Sequence, residues 1–307
     1  MASFFIALST VAVMLLYACP GFLMVKSGLI KGDAVSAFAK LLMYVCSPAL
    51  IIYSLSRVKF SLAMLADMLF VFFFVLILMV TVLLTFRFIF RKKITDVRYR
   101  VYTLSLCFSN CAFMGVPVLE ALLPDYPQAV AFSAMFSLVM NILGWTLGSA
   151  IITNDPKYMS AKKIALNPAV LSLLVAIPLF VTGVELPAEL ADMIALLARM
   201  TTPLCMLIMG MRLATMSVKK VFAVPAQYLI IAAKQLALPL IALLLLQLFP
   251  VDANLKTSVY IMVACPVASV VLNFAEMLGE GQETAANLML LGTSLSVLTI
   301  PVMVLLV

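Results

Sequence analysis

Runs of about twenty apolar residues, each long enough to cross roughly 30 Å of hydrocarbon, follow one another through this chain from end to end. Few folds can hold such runs. A transmembrane barrel would alternate apolar and polar residues, and these runs do not. A soluble domain carries roughly 25% charged residues, whereas here 65% of the 307 residues are hydrophobic and 11% are charged. The expected fold class is therefore an all-α polytopic membrane protein. Charged, glycine-rich and proline-rich breaks divide it into ten transmembrane helices at 3–25, 34–56, 62–86, 101–123, 128–153, 166–184, 188–211, 221–249, 255–278 and 284–307.

The net charge of +7 points to membrane topology and not to nucleic acid, because the basic residues cluster in short loops. Fourteen lysines and arginines, among them Lys26, Arg91, Lys162, Lys163, Arg212, Lys219 and Lys220, fall in the loops after odd-numbered spans, against Arg57, Lys59 and Lys256 on the other side. Basic loops stay cytoplasmic, so both termini of this multi-pass protein are expected outside, in a cell (plasma) membrane. The loop after span 9 carries Glu280 and Glu283 and adds nothing to the count. The start, Met1-Ala2-Ser3-Phe4-Phe5, lacks the basic stretch of a cleaved signal, so span 1 is expected to stay. The chain has no histidine and its six cysteines all lie in apolar runs. No cofactor, metal site or disulfide framework is expected, and the methionines and phenylalanines read as lipid-facing bulk.

Two of the runs contain an asparagine and a proline seven positions apart: Asn110 to Pro117, and Pro266 to Asn273 with the order reversed. A proline removes a ladder hydrogen bond, and in hydrocarbon no water repairs the loss. Broken helices at matching points of two halves mark the binding site of a transporter. The halves do match. Pro48 lies 62 residues before Asn110 and 69 before Pro117; Pro203 lies 63 before Pro266 and 70 before Asn273. Five spans per half is an odd number, so the halves are expected to be inverted: 1–154 as the first five-helix repeat, 155–165 as a short cytoplasmic linker, and 166–307 as the second repeat.

The chain resembles the auxin efflux carrier family of the wider bile-acid/anion transporter superfamily, as a short-loop prokaryotic-type member. The likeness rests on Lys26-Ser27-Gly28, Pro48-Ala49-Leu50, Asn110 to Pro117, Asn167-Pro168, Pro266, and Thr293-Ser294 to Pro301. It implies that spans 4 and 9 are discontinuous helices crossing near the membrane centre. It also implies a mobile transport domain of spans 3–5 and 8–10, a scaffold of spans 1, 2, 6 and 7, and a homodimer. The long loop of many plant members is missing, and no acidic sodium-site cluster stands in the second crossover.

Breaks at Pro117 and Pro266 would turn half-helix N-termini, with their unpaired N–H groups, toward an anion. Asn110 and Asn273 supply amides there, Gly115 allows close approach, and Ser109 and Ser269 are further candidate contacts. Within spans, charge is expensive and needs a partner or a cavity. Asp67 is the preferred protonation site, with Asn141 nearby, and Lys234 a fixed charge opposite an anionic substrate. Lys40 and Arg199 read as snorkelling or scaffold ties, Glu120 and Glu276 as interfacial, and Trp145 as core packing.

The function expected is secondary transport of small organic anions, of carboxylate type, by alternating access, proton-coupled or as uniport. The alternatives are a sodium-coupled symporter for bile-acid-like anions, a channel, and a membrane-embedded enzyme. Missing histidines and few acids speak against the last, and no nucleotide-binding motif is present.

Overall fold

The computed structural model describes residues 1–217 and 221–307; Lys219 and Lys220, counted above as loop cations, lie outside the described residues. Apolar runs in lipid must satisfy every N–H and C=O within the segment, which makes them helices. In chain order these are α1 (Ala2–Lys26), α2 (Gly32–Ser56), α3 (Leu62–Ile89), α4 (Val97–Cys107), α5 (Cys111–Leu122) and α6 (Gln128–Thr153). They continue with α7 (Pro156–Thr182), α8 (Ala188–Thr215), α9 (Pro225–Leu246), α10 (Ala253–Ala264), α11 (Ser269–Leu278) and α12 (Gln282–Val304). Among the described residues, eight of them are long and apolar enough to cross a membrane. The other four, α4, α5, α10 and α11, are short, and they divide the runs 101–123 and 255–278.

Local chemistry sets several of the ends. Asp96 and Asp252, 156 residues apart, begin α4 and α10, and each carboxylate accepts a hydrogen bond from the N–H two residues on, at 2.9 and 2.8 Å. The segment 155–165 is not plain loop but two short helical turns. Within α7, Asn167 then starts the long helix anew, its Oδ1 accepting from Ala169 N at 2.9 Å.

Several prolines sit inside helices without breaking them, three of them just after a local widening. Pro48, Pro117 and Pro239 each come two residues after a widened π-helical turn, at Leu42–Cys46, Cys111–Gly115 and Ala233–Ala237. The wider turn makes room for the ring, and at Pro117 a neighbour takes the carbonyl that the proline cannot serve. The Phe113 carbonyl, four before Pro117, accepts from Thr202 Oγ1 of α8 at 3.0 Å.

One group of helices, α1, α2, α7 and α8, packs together; α3, α6, α9 and α12 pack around the short segments α4, α5, α10 and α11. The tightest approach joins α1 to α8. A Cβ built on Gly21 would stand 2.1 Å from the Leu207 carbonyl oxygen, and one on Gly210 1.8 Å from that of Ala18. Between the two groups lie the contacts of α1 with α12 and α5, and of α2 with α6.

Candidate functional site

α4 stops at Cys107 and α5 starts at Cys111; α10 stops at Ala264 and α11 starts at Ser269. The extended residues between them run antiparallel across each other, with Ser109 paired to Val267. Asn110 N donates to the Pro266 carbonyl at 2.8 Å, and Ala268 N to that of Phe108 at 3.0 Å. Each break thereby satisfies the other where water would otherwise be needed.

The first break is at Phe108–Asn110 and not at Pro117, which corrects the expectation drawn from that proline. With Thr202 holding the freed carbonyl and a π turn in front, Pro117 is absorbed into α5. Pro266 does stand within the second break, where its carbonyl carries the crossing.

Against this crossing lies a cavity of about 620 Å³, walled by both groups of helices. Its polar lining includes Ser109, Asn110, Ser137, Asn141, Asn167, Ser269, Asn273, Thr293 and Arg212; Tyr44, Phe113, Trp145, Phe274 and several methionines supply the apolar part. Ser160, Lys162 and Lys163 line it at the end formed by the 155–165 segment, here called the linker face. Two half-helix N-termini reach it. Among the described residues, the N–H groups of Phe113, Ser269 and Val270 have no backbone acceptor, and all three residues line the cavity. Orphan N–H groups at a helix start, with the positive end of the dipole, suit an anion. Asn110 is 7% exposed, and its side chain makes no hydrogen bond among the described residues.

Lys234 lies beneath the crossing, 1% exposed, in the π turn of α9. Its Nζ donates to Ser109 Oγ and to the Val263 carbonyl, the latter at 3.0 Å. The ionisable groups around it are the thiols Cys107, Cys265 and Cys111, with no carboxylate among them. Its cation thus sits at the carbonyl ends of α4 and α10, where helix dipoles are negative, with Ser109 between it and the cavity.

Of the other residues named from sequence, Ser109, Asn110, Asn141, Ser269 and Asn273 line the cavity, while Gly115, Pro117 and Pro266 do not. Gly115 serves packing: a Cβ there would be 3.2 Å from Cys265 Sγ. Asp67 and Asn141 are not neighbours. Asn141 accepts from Asn167 Nδ2 at 2.9 Å and donates to the Ser137 carbonyl at 2.8 Å. Asp67 belongs with Asp252 and Tyr126 near the opposite face. Burial, together with the Asp252 and Asp67 carboxylates, pushes the Tyr126 phenol above its ordinary range. The reason is depth. At about 1.5 Å per residue, Asp67 lies roughly 8 Å along α3 from that face and Asn141 roughly 20 Å along α6.

Sequence reasoning missed several lining residues. Arg212 was counted with the loops, yet α8 runs on to Thr215. Its Nη1 and Nη2 reach Glu276 of α11, the latter at 3.3 Å, and Nη2 is 3.4 Å from Asn273 Oδ1. Glu276 is accordingly paired, and Glu120 also, with Arg57 at 2.9 Å. Trp145 lines the cavity edge-on to Phe274, with centroids 4.9 Å apart and Lys163 Nζ 4.8 Å from its ring. Lys40 and Arg199 are exposed, and among the described residues neither forms an ion pair.

The sequence model of a family described as membrane transport protein matches residues 6–163 and again residues 157–304. No curated protein matches the chain.

Proposed function

The chain belongs to the membrane transport protein family, that of the auxin efflux carriers, a family of transporters and not of enzymes, and from that premise we propose that it carries small organic anions, of carboxylate type, by alternating access. It is a multi-pass membrane protein. In this reading the two broken runs are the central spans of an inverted five-plus-five repeat. The group α1, α2, α7 and α8 is the scaffold, and the remaining helices move past it with the crossing. The observation that carries the reading is the crossing itself: two half-helix starts with N–H groups that have no backbone acceptor, beside Asn110 and Asn273, in one cavity.

The excess of basic residues at the linker face assigns that face to the cytoplasm. The cavity then opens inward, past Lys162 and Lys163, which draw anions toward its mouth. An inside-negative potential of about 100 mV favours outward movement of a monoanion by roughly 2.3 kcal/mol, about fiftyfold in concentration. Uniport therefore exports, and import requires protons or exchange. The cavity supplies amides, hydroxyls and one ion-paired arginine without an acidic cluster, which favours proton coupling or uniport over sodium.

Purified protein tests this through ligand-induced stabilisation, because a ligand that binds only the native state raises its melting temperature. Succinate or benzoate should raise it with saturation. Asn110→Ala and Asn273→Ala should each weaken that binding by about tenfold, the worth of one hydrogen bond to a charged group. Unaltered affinity in both folded variants would remove the crossing from the binding site.

A further inference from the structure

Two ion pairs join the helix groups, and they hold equivalent places in the two halves of the sequence. Arg57 precedes Arg212 by 155 residues and Glu120 precedes Glu276 by 156, the offsets that also separate Pro48 from Pro203 and Pro117 from Asn273. Each pair ties the end of a scaffold-group helix, α2 or α8, to a second half-helix, α5 or α11. Their surroundings differ. Arg57 and Glu120 are 38% and 42% exposed and line neither cavity described here, whereas the Arg212 side chain is 10% exposed and walls the cavity at the crossing.

We propose that Arg212 is an anion-binding residue of this cavity and that Glu276 is its resident competitor, displaced when a substrate carboxylate takes the guanidinium. The proposal rests on the carboxylate reading above and adds the residue that receives the charge. Three observations carry it.

Arg212 already holds a carboxylate by its fork: Nη1 donates to Glu276 Oε1 and Nη2 to Glu276 Oε2 at 3.3 Å, and Nη2 is also 3.4 Å from Asn273 Oδ1. A bidentate carboxylate is the natural partner of that fork. Asn273, already in the cavity, lies one turn before Glu276 on the same helix, so a carboxylate bound at Asn273 reaches Arg212 without crossing the cavity.

Glu276 also has somewhere to go. A second cavity of about 550 Å³ adjoins the first; Glu276 and Arg212 both line it, together with Ser36, Thr215 and two further carboxylates, Asp33 and Glu283. Arg212 is the wall between the two cavities. A released Glu276 carboxylate, already 47% exposed, turns into this recess and remains solvated, so the exchange strands no buried charge. One consequence follows for movement. Binding removes a tie between α8 and α11, and so couples occupancy of the cavity to freedom of the group that carries the crossing.

A purely structural ion pair responds in the same sense whichever partner is neutralised. A competitive one responds in opposite senses, and that difference is the test. Succinate and benzoate affinities are measured on the full-length protein by thermal stabilisation and by concentration-dependent uptake into proteoliposomes. Glu276→Gln should tighten binding about three- to tenfold, and Arg212→Gln should weaken it about tenfold or more. Arg57→Gln and Glu120→Gln, the equivalent changes in the other half, should leave affinity within about twofold. Weaker binding in Glu276→Gln, or changes of the same sign in both partners, would overturn the proposal. Should Arg212→Gln fail to fold, Arg212→Lys keeps the charge and loses the fork, and Glu276→Gln alone still decides the sign. If the unaltered protein binds and transports neither anion, the carboxylate reading itself fails; if it does both and the signs agree, only the competition fails.

Discussion

Gly210→Val is expected to leave no folded protein. The crossing of α1 and α8 has no space for a side chain: a Cβ at position 210 would stand 1.8 Å from the Ala18 carbonyl oxygen and 2.9 Å from Phe22 N. The reciprocal glycine, Gly21, meets the Leu207 carbonyl oxygen at 2.1 Å. These obstacles are backbone, which cannot swing aside as a side chain can, so α1 would have to withdraw by more than an ångström. Overpacking against movable side chains already costs about 1–3 kcal/mol, within a native stability of only about 5–15 kcal/mol. In membranes such close helix contact, through small residues, is itself the main source of association. The displacement would not stay local, because α1 also packs on α12 and on α5, which begins at the crossing. Size-exclusion chromatography of detergent extracts is the check: the variant should elute as aggregate or be absent. A monodisperse peak with an unchanged melting temperature would show that α1 and α8 do not meet in this way.

Lys234→Met is expected to weaken anion binding roughly fiftyfold while keeping the fold. The ammonium holds Ser109 and the Val263 carbonyl together beneath the crossing and faces no carboxylate. Its charge is therefore not cancelled locally, except by the carbonyl ends of two short helices. A unit charge ~7 Å from a bound carboxylate, at an effective dielectric of ~20, contributes about 2.4 kcal/mol, roughly fiftyfold in affinity. Losing the buried ammonium also ends its desolvation cost, which offsets the two hydrogen bonds given up. The fold should survive for that reason. Lys234→Arg, which keeps the charge with a different shape, should recover part of the affinity. A folded Lys234→Met variant with the original affinity would make Lys234 a structural residue only.

Much of this was legible from residue order. Apolar run lengths located the spans, and the Asn–Pro elements located the second interruption at Pro266 and the first to about two turns, since hydrocarbon leaves a broken helix few ways to be satisfied. The exact break could not be read. Whether Pro117 ends a helix depends on Thr202, 85 residues away, giving its hydroxyl to the Phe113 carbonyl. The pairing of Asp67 with Asn141 failed on depth, although counting 1.5 Å per residue from their shared face would have separated them. Arg212 went unnoticed because a cation near the end of a span reads as a topology signal. The clue was available in the repeat, since the offset linking Pro48 to Pro203 also carries Arg57 onto Arg212. Trp145 and Phe274 show the opposite limit: nothing in an apolar helix marks which face meets a cavity and which meets lipid.

Counterflow in proteoliposomes tests the central claim most directly. Vesicles holding the purified protein are preloaded with unlabelled succinate or benzoate and diluted into a trace of the same labelled anion. A site exposed alternately to each side predicts saturable accumulation of label that depends on the preload, and its loss in Asn110→Ala. Flux that does not saturate and ignores the preload, or no flux of either anion, would contradict an anion carried at the crossing of the two broken helices.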